Sequence, residues 1–99
     1  MIIKVGDKMY YIITYDISDD NRLNKVRKIL RKYLNWVQKS VFEGNLSDSQ
    51  FYKCKMELEK VIDKNQDSIY FYKITYSKAL NKEILGIDNL TNLLEDNLI

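Results

Sequence analysis

The sequence predicts an α+β fold in which one antiparallel sheet carries two helices on one of its faces. Three observations lead there. Residues 10–15 (YYIITY) and 69–76 (IYFYKITY) are dense in aromatic and β-branched side chains, the composition of strands buried on at least one side. Two other stretches repeat apolar residues at helical spacing behind side chains that cap helices. Finally, a chain of 99 residues can bury only one small core, so these elements must share it.

Taken in order, residues 1–8 form a polar leader with Lys4, Gly6, Asp7 and Lys8. It is read as an N-terminal extension of a domain spanning residues 9–87. Met9 opens the first strand, which is expected at the centre of the sheet because both of its faces are apolar or aromatic. Asp16-Ile17-Ser18-Asp19-Asp20-Asn21 is a cluster of turn and N-cap formers, with Asp19 and Asp20 placed to cap the first helix. From Arg22 the spacing turns helical: Leu23, Val26, Leu30 and Tyr33 make one stripe, flanked by Ile29 and Leu34. Trp36 to Gly44 reads as two short strands meeting at a sharp bend at Lys39-Ser40, where the alternation breaks.

Ser47 and Gln50 have the spacing of a capping box and open a second helix. Its buried stripe is Phe51, Cys54, Leu58, Val61 and Ile62, and Lys64-Asn65 is the expected stop. Residues 69–76 then form a strong strand, and residues 83–87 a further short one. The tail, residues 88–99, carries Leu90, Leu93, Leu94 and Leu98 at the spacing of a short amphipathic helix. The order β-α-β-β-α-β is that of the ferredoxin-like fold, two helices on one face of a four-stranded antiparallel sheet. Helices leave the other face open, and aromatic residues on both strand faces make it too apolar for water. A homodimer is therefore expected.

Composition narrows the chemistry. Hydrophobic residues at 45% and charged residues at 30% are an ordinary globular balance and argue against disorder. Histidine is absent and Cys54 is the single cysteine. Serine–histidine hydrolases, zinc enzymes and disulfide scaffolds are thereby excluded. No apolar run reaches the roughly 18 residues of a membrane span, and no secretory signal opens the chain, so a soluble, cytoplasmic protein is expected. Asp and Glu are the only catalytic acids left.

The net charge of +2 conceals a segregated distribution. Between Asn21 and Phe42 stand seven basic residues and no acidic one: Arg22, Lys25, Arg27, Lys28, Arg31, Lys32 and Lys39. The rest of the chain is net acidic. A solvated helix face is the plain reading, but such faces interleave signs at i,i+4 and this one does not. It is the footprint of a phosphate-backbone contact, without a base-reading motif.

Asp16 stands where the first strand ends. A turn residue fits that place, and so does a ligand for a hard cation such as Mg²⁺. One carboxylate is a poor metal site, but a two-fold axis nearby would double it, and two Asp16 side chains could share one ion. Hydrolysis without histidine would use metal-activated water. Trp36 and Phe42 read as packing residues, Cys54 as a small core hydrophobe, and Ser40 as a polar contact beside the bend.

Tyr15-Asp16-Ile17-Ser18-Asp19-Asp20, a basic amphipathic helix, and then Val37-Gln38-Lys39-Ser40-Val41-Phe42-Glu43-Gly44 together resemble the small CRISPR-associated Cas2 family over roughly residues 9–86. The resemblance implies a ferredoxin-like homodimer whose final strand crosses to the partner's sheet. It implies a role in acquiring new spacers, with the dimer seated between two integrase dimers and supporting incoming double-stranded DNA. It also implies Mg²⁺-dependent endonuclease activity on single-stranded RNA or double-stranded DNA, the ion lying between two first-strand aspartates that Asp16 matches. In that setting Ser18, Ser40 and Phe42 are supporting residues near the site. A non-catalytic scaffold and a stand-alone, toxin-like ribonuclease on the same fold are the alternatives.

Overall fold

The computed structural model describes residues 8–74 and, beyond them, Glu83, Leu85 and Gly86. The expected extension before Lys8 and the tail 88–99 lie outside the described residues, as do Ile84 and Ile87 of the strand expected at 83–87, while its described residues Glu83, Leu85 and Gly86 are in no strand. The elements are β1 (Met9–Asp16), α1 (Asp20–Tyr33), β2 (Asn35–Gln38), β3 (Val41–Leu46), α2 (Asp48–Val61) and β4 (Ser68–Ile74). They form one sheet in the order β2-β3-β1-β4 with every neighbouring pair antiparallel. This is the expected ferredoxin-like arrangement, with β1 at its centre.

The pleat of β1 sorts its side chains. Met9, Tyr11, Ile13 and Tyr15 are buried, while Tyr10, Ile12 and Thr14 are half-buried and Asp16 is exposed. The buried set meets Val26, Ile29 and Leu30 of α1 and Cys54 and Leu58 of α2, with Phe42 and Leu46 of β3 closing the core. Ile13 lies opposite Phe42 on one side and Phe71 on the other. Tyr11 stacks on Phe51 of α2 with ring centroids 4.7 Å apart, and Phe51 meets Phe71 edge-on at 5.5 Å. Both helices therefore cover one face. By alternation the other face carries Tyr10, Ile12, Thr14 and Asp16 beside Glu43, Tyr70, Tyr72 and Ile74. No described element covers it, and Tyr70 and Tyr72 remain more than half exposed.

Local chemistry sets the element boundaries. Asp19 caps α1, its carboxylate accepting from the Arg22 backbone N–H at 2.9 Å. Asp20 is not a second cap but the acidic residue of the first turn, where the helix dipole favours it. The Ser47–Gln50 capping box is present in both directions. The bend between β2 and β3 falls at Lys39-Ser40, with Lys39 at φ +29° and a shift in register between Trp36 and Gln38.

α2 ends earlier than its spacing predicts, at Val61 rather than near Lys64-Asn65, because Ile62 is already extended. Asp63 then builds the turn. Its side chain accepts from the Asn65 N–H at 2.9 Å and its carbonyl from Asp67 N–H at 2.7 Å.

Phe42 is fully buried at the junction of sheet and helices. Phe42→Ala should cost about 3–5 kcal/mol of unfolding free energy. Urea denaturation should show this as a lower midpoint with little change in slope.

Candidate nucleic-acid interface

One end of the sheet gathers most of the expected site. There the C-terminal end of β1, the N-terminus of α1, the β2–β3 bend and the start of β4 meet. Asp16 is exposed on the open face and pairs with Ser68 across the β1–β4 ladder. Its carboxylate has no hydrogen-bond or ion-pair partner among the described residues.

The bend is tied to β1 by its neighbour Tyr15. Tyr15 N–H donates to the Ser40 carbonyl at 3.1 Å, and its hydroxyl donates to the Lys39 carbonyl at 3.0 Å. Arg27 Nε donates to the same hydroxyl at 3.3 Å. Trp36 Nε1 also donates to the Lys39 carbonyl, at 3.0 Å. Ser40 thus acts through its backbone, and Trp36 holds the bend as well as packing. Phe42 supports the site only from inside the core, its ring 6.1 Å from that of Tyr15.

The seven basic residues do not form one surface. Along α1, Lys25, Lys28 and Lys32 fall in one row (i, i+3, i+7), and Arg27 and Arg31 (i, i+4) fall in another. The first row borders a groove between the helices floored by Ile29 and Val61. Lys32 is held by Glu57, whose carboxylate also accepts from the Tyr33 hydroxyl and pushes that phenol up to about 12. Arg22 is turned inward to Asp67. That leaves Lys25, Lys28, Arg31 and Lys39 exposed, with no hydrogen-bond or ion-pair partner among the described residues. Of the seven, these four have no acidic side chain among the described residues competing with a phosphate for their charge.

Asp67 is the site residue that sequence reasoning did not find. It precedes β4 and reads as a turn former, yet its side chain is wholly buried. Oδ1 accepts from Ser18 N–H at 3.0 Å, Ser18 Oγ at 3.2 Å and Arg22 Nη2 at 3.1 Å. Oδ2 accepts from Arg22 Nε at 2.7 Å and Asp63 N–H at 2.9 Å. Ser18 Oγ in turn accepts from Arg22 Nη2 at 3.1 Å. The Arg22 guanidinium above all, and then the backbone N–H groups of Asp63 and Ser18, hold the Asp67 carboxyl well below the usual carboxylate range. No local pattern announces a partner 49 residues away. Elsewhere, burial pushes the Cys54 thiol up to about 12, which leaves it an inert core residue as its spacing predicts.

As a cation site the donor set is half of what is needed. Among the described residues no three His, Cys, Asp or Glu side chains converge, and the lone pairs of Asp67 are already spent. On the open face one chain offers the carboxylate of Asp16, which has no partner among the described residues. That donor fits Mg²⁺ only when a second copy doubles it.

Residues 9–82 match the family model described as CRISPR associated protein Cas2. The chain belongs to the Cas2 family. A CRISPR-associated endoribonuclease Cas2 of Thermodesulfovibrio yellowstonii is 56% identical over 79 residues, spanning 80% of this chain and 89% of the relative. The Thermotoga maritima protein of that name is 45% identical over 80 residues, 81% of this chain and 91% of the relative. Among solved structures, one described as Cas2 superposes with a TM-score of 0.73 at 36% identity, covering 83% of this chain and 91% of the other. Streptococcus pyogenes Cas2 gives 0.69 at 34% identity, covering 79% and 100%. The Cas2 match takes in β1 to β4 whole. No helix among the described residues is long and apolar enough to cross a membrane.

The Asp67 pairing sets a pH dependence for this Cas2 chain. A carboxyl held low in the fold contributes stability that is present above its unfolded value, about 3.9, and is lost as pH falls from there through the folded value. Asp67→Asn should therefore melt below wild type at neutral pH. The gap in Tm should narrow as pH is lowered below that of ordinary carboxylates, as thermal melts at a series of pH values will show.

Proposed function

We propose that this chain is a nucleic-acid-binding homodimer of CRISPR adaptation, which holds double-stranded DNA by its phosphates between integrase dimers. The observation that carries the reading is the set of exposed cations on and beside α1 with no acidic partner to neutralise them among the described residues: Lys25, Lys28, Arg31 and Lys39. No base-reading motif accompanies these cations, so they are assigned to the phosphate backbone, and binding is tolerant of sequence. The dimer reading rests on the open sheet face, where Ile12, Tyr70, Tyr72 and Ile74 cluster around the central strand. A two-fold axis across such a face makes a self-complementary contact from one apolar patch. Family membership supports the adaptation role and the cytoplasmic setting that goes with it.

A specific observation favours a second activity. Asp16 is an unpartnered carboxylate on the same open face, and relatives at 56% and 45% identity carry the name endoribonuclease. Two Asp16 side chains brought together by dimerisation would hold one Mg²⁺, which supplies Lewis-acid polarisation of a phosphodiester oxygen when bound. The chain itself contributes the remaining work. Unpartnered cations steer and seat the phosphates, and the bend at Lys39-Ser40, tied to Tyr15, fixes one wall beside Asp16. Single-stranded RNA and double-stranded DNA both present the phosphodiester this site would take.

Two outcomes are expected. Affinity for a duplex should fall steeply with added salt, and Lys28→Glu with Arg31→Glu should weaken it by about tenfold or more at low salt. A flat salt response in a filter-binding or anisotropy titration contradicts phosphate contact. Asp16→Asn should abolish Mg²⁺-dependent cleavage in a gel assay while leaving the dimer and its DNA affinity intact. Equal cleavage by wild type and variant assigns the activity elsewhere.

A further inference from the structure

Asp67 receives more hydrogen bonds than any other side chain described. Its five donors come from three separate places: Ser18 in the β1–α1 turn, Arg22 in the first turn of α1, and Asp63 after α2. The β1–β4 ladder brings Asp16 opposite Ser68, the residue next to Asp67. A closed circuit results. The chain runs from Asp16 through Ile17 to Ser18, crosses the 3.0 Å bond to the Asp67 carboxylate, and returns through Ser68 to Asp16. The turn after Asp16 is thus clamped at both of its ends.

The clamp exceeds what the fold requires. Asp19 already caps α1, and the ladder already fixes the end of β1. A buried ion pair is a poor way to add stability, because taking the charges out of water offsets most of their attraction. What it does well is fix direction. The fork of Nε and Nη2 on one carboxylate defines the guanidinium plane, and Nη1 has no partner among the described residues. Arg22 is still about a quarter exposed.

We propose that Asp67 is a positioning residue for nucleic-acid binding: it fixes the turn after Asp16 and aims Arg22 so that Nη1 meets a phosphate beside the Asp16 carboxylate. This rests on the reading of the chain as a nucleic-acid-binding protein. It returns Arg22 to the interface as an aimed contact, not as part of a diffuse basic surface.

The sign of one substitution tests it. Asp67→Asn removes a negative charge next to a polyanion's binding surface, so simple electrostatics requires duplex binding to tighten or stay level. Positioning requires the opposite. The experiment is an anisotropy titration of a labelled duplex of about 20 base pairs over a range of salt, using the full-length chain at a temperature where circular dichroism shows every variant folded. Expected are a Kd about tenfold weaker for Asp67→Asn and a slope of log K against log salt smaller by about one, the loss of one phosphate contact. Arg22→Lys keeps the charge but lacks the fork, and should weaken binding similarly. Combining Arg22→Lys with Asp67→Asn should add little to either alone.

Tighter or unchanged binding by folded Asp67→Asn overturns the proposal. Should that variant fail to fold, unchanged binding by Arg22→Lys overturns it equally. Wild type itself failing to bind, or binding without salt dependence, is a different result: it rejects the nucleic-acid reading and the positioning role together.

Discussion

The way the central strand divides its side chains governs the rest of this structure. β1 is hydrogen-bonded on both edges, to β3 and to β4, so its residues can differ only in which face they choose. Tyr11, Ile13 and Tyr15 choose the helices and build the core around Phe42, Leu30 and Leu58. Tyr10, Ile12, Thr14 and Asp16 are then forced to the opposite face. A slip of one residue in register would bury Asp16 and expose Ile13, an exchange the core cannot absorb. The position of the unpartnered Asp16 carboxylate is thus a consequence of packing.

The same division explains the composition of the open face. A four-stranded sheet with two helices has apolar residues enough for one core, yet here Ile12, Tyr70, Tyr72 and Ile74 are placed away from it. Even the charged Glu43 of that face is constrained. It is buried, and burial of Tyr10 together with its hydrogen bond to Glu43 raises the Tyr10 phenol far above its ordinary value. Surfaces of this kind are covered in working proteins. A second copy of the chain is the occupant proposed above, and it would also double Asp16 into the proposed cation site.

Much of this was legible in the sequence because it is written locally. Alternation located β1, the Ser47–Gln50 spacing located the start of α2, and the broken alternation at Lys39-Ser40 located the bend. Asp16 stood out because a carboxylate closing an apolar strand is conspicuous. The Asp67 clamp was not legible, since it joins side chains 45 and 49 residues apart and an aspartate before a strand looks like any turn former. The basic stretch was seen whole but not resolved. Only the fold shows Arg22 committed to Asp67 and Lys32 to Glu57, with two separate rows on α1.

The proposed dimer packs through the open face with its two-fold axis near Asp16, so that the two Asp16 side chains approach, and the proposed cation site depends on that approach. Spin labelling tests it directly, because Cys54 is buried and its thiol is held up to about 12, so a cysteine introduced as Asp16→Cys takes the nitroxide selectively. Association through this face predicts strong dipolar broadening of the electron paramagnetic resonance spectrum, relieved when labelled chain is exchanged with excess unlabelled chain. A narrow spectrum that dilution with unlabelled chain leaves unchanged would contradict it.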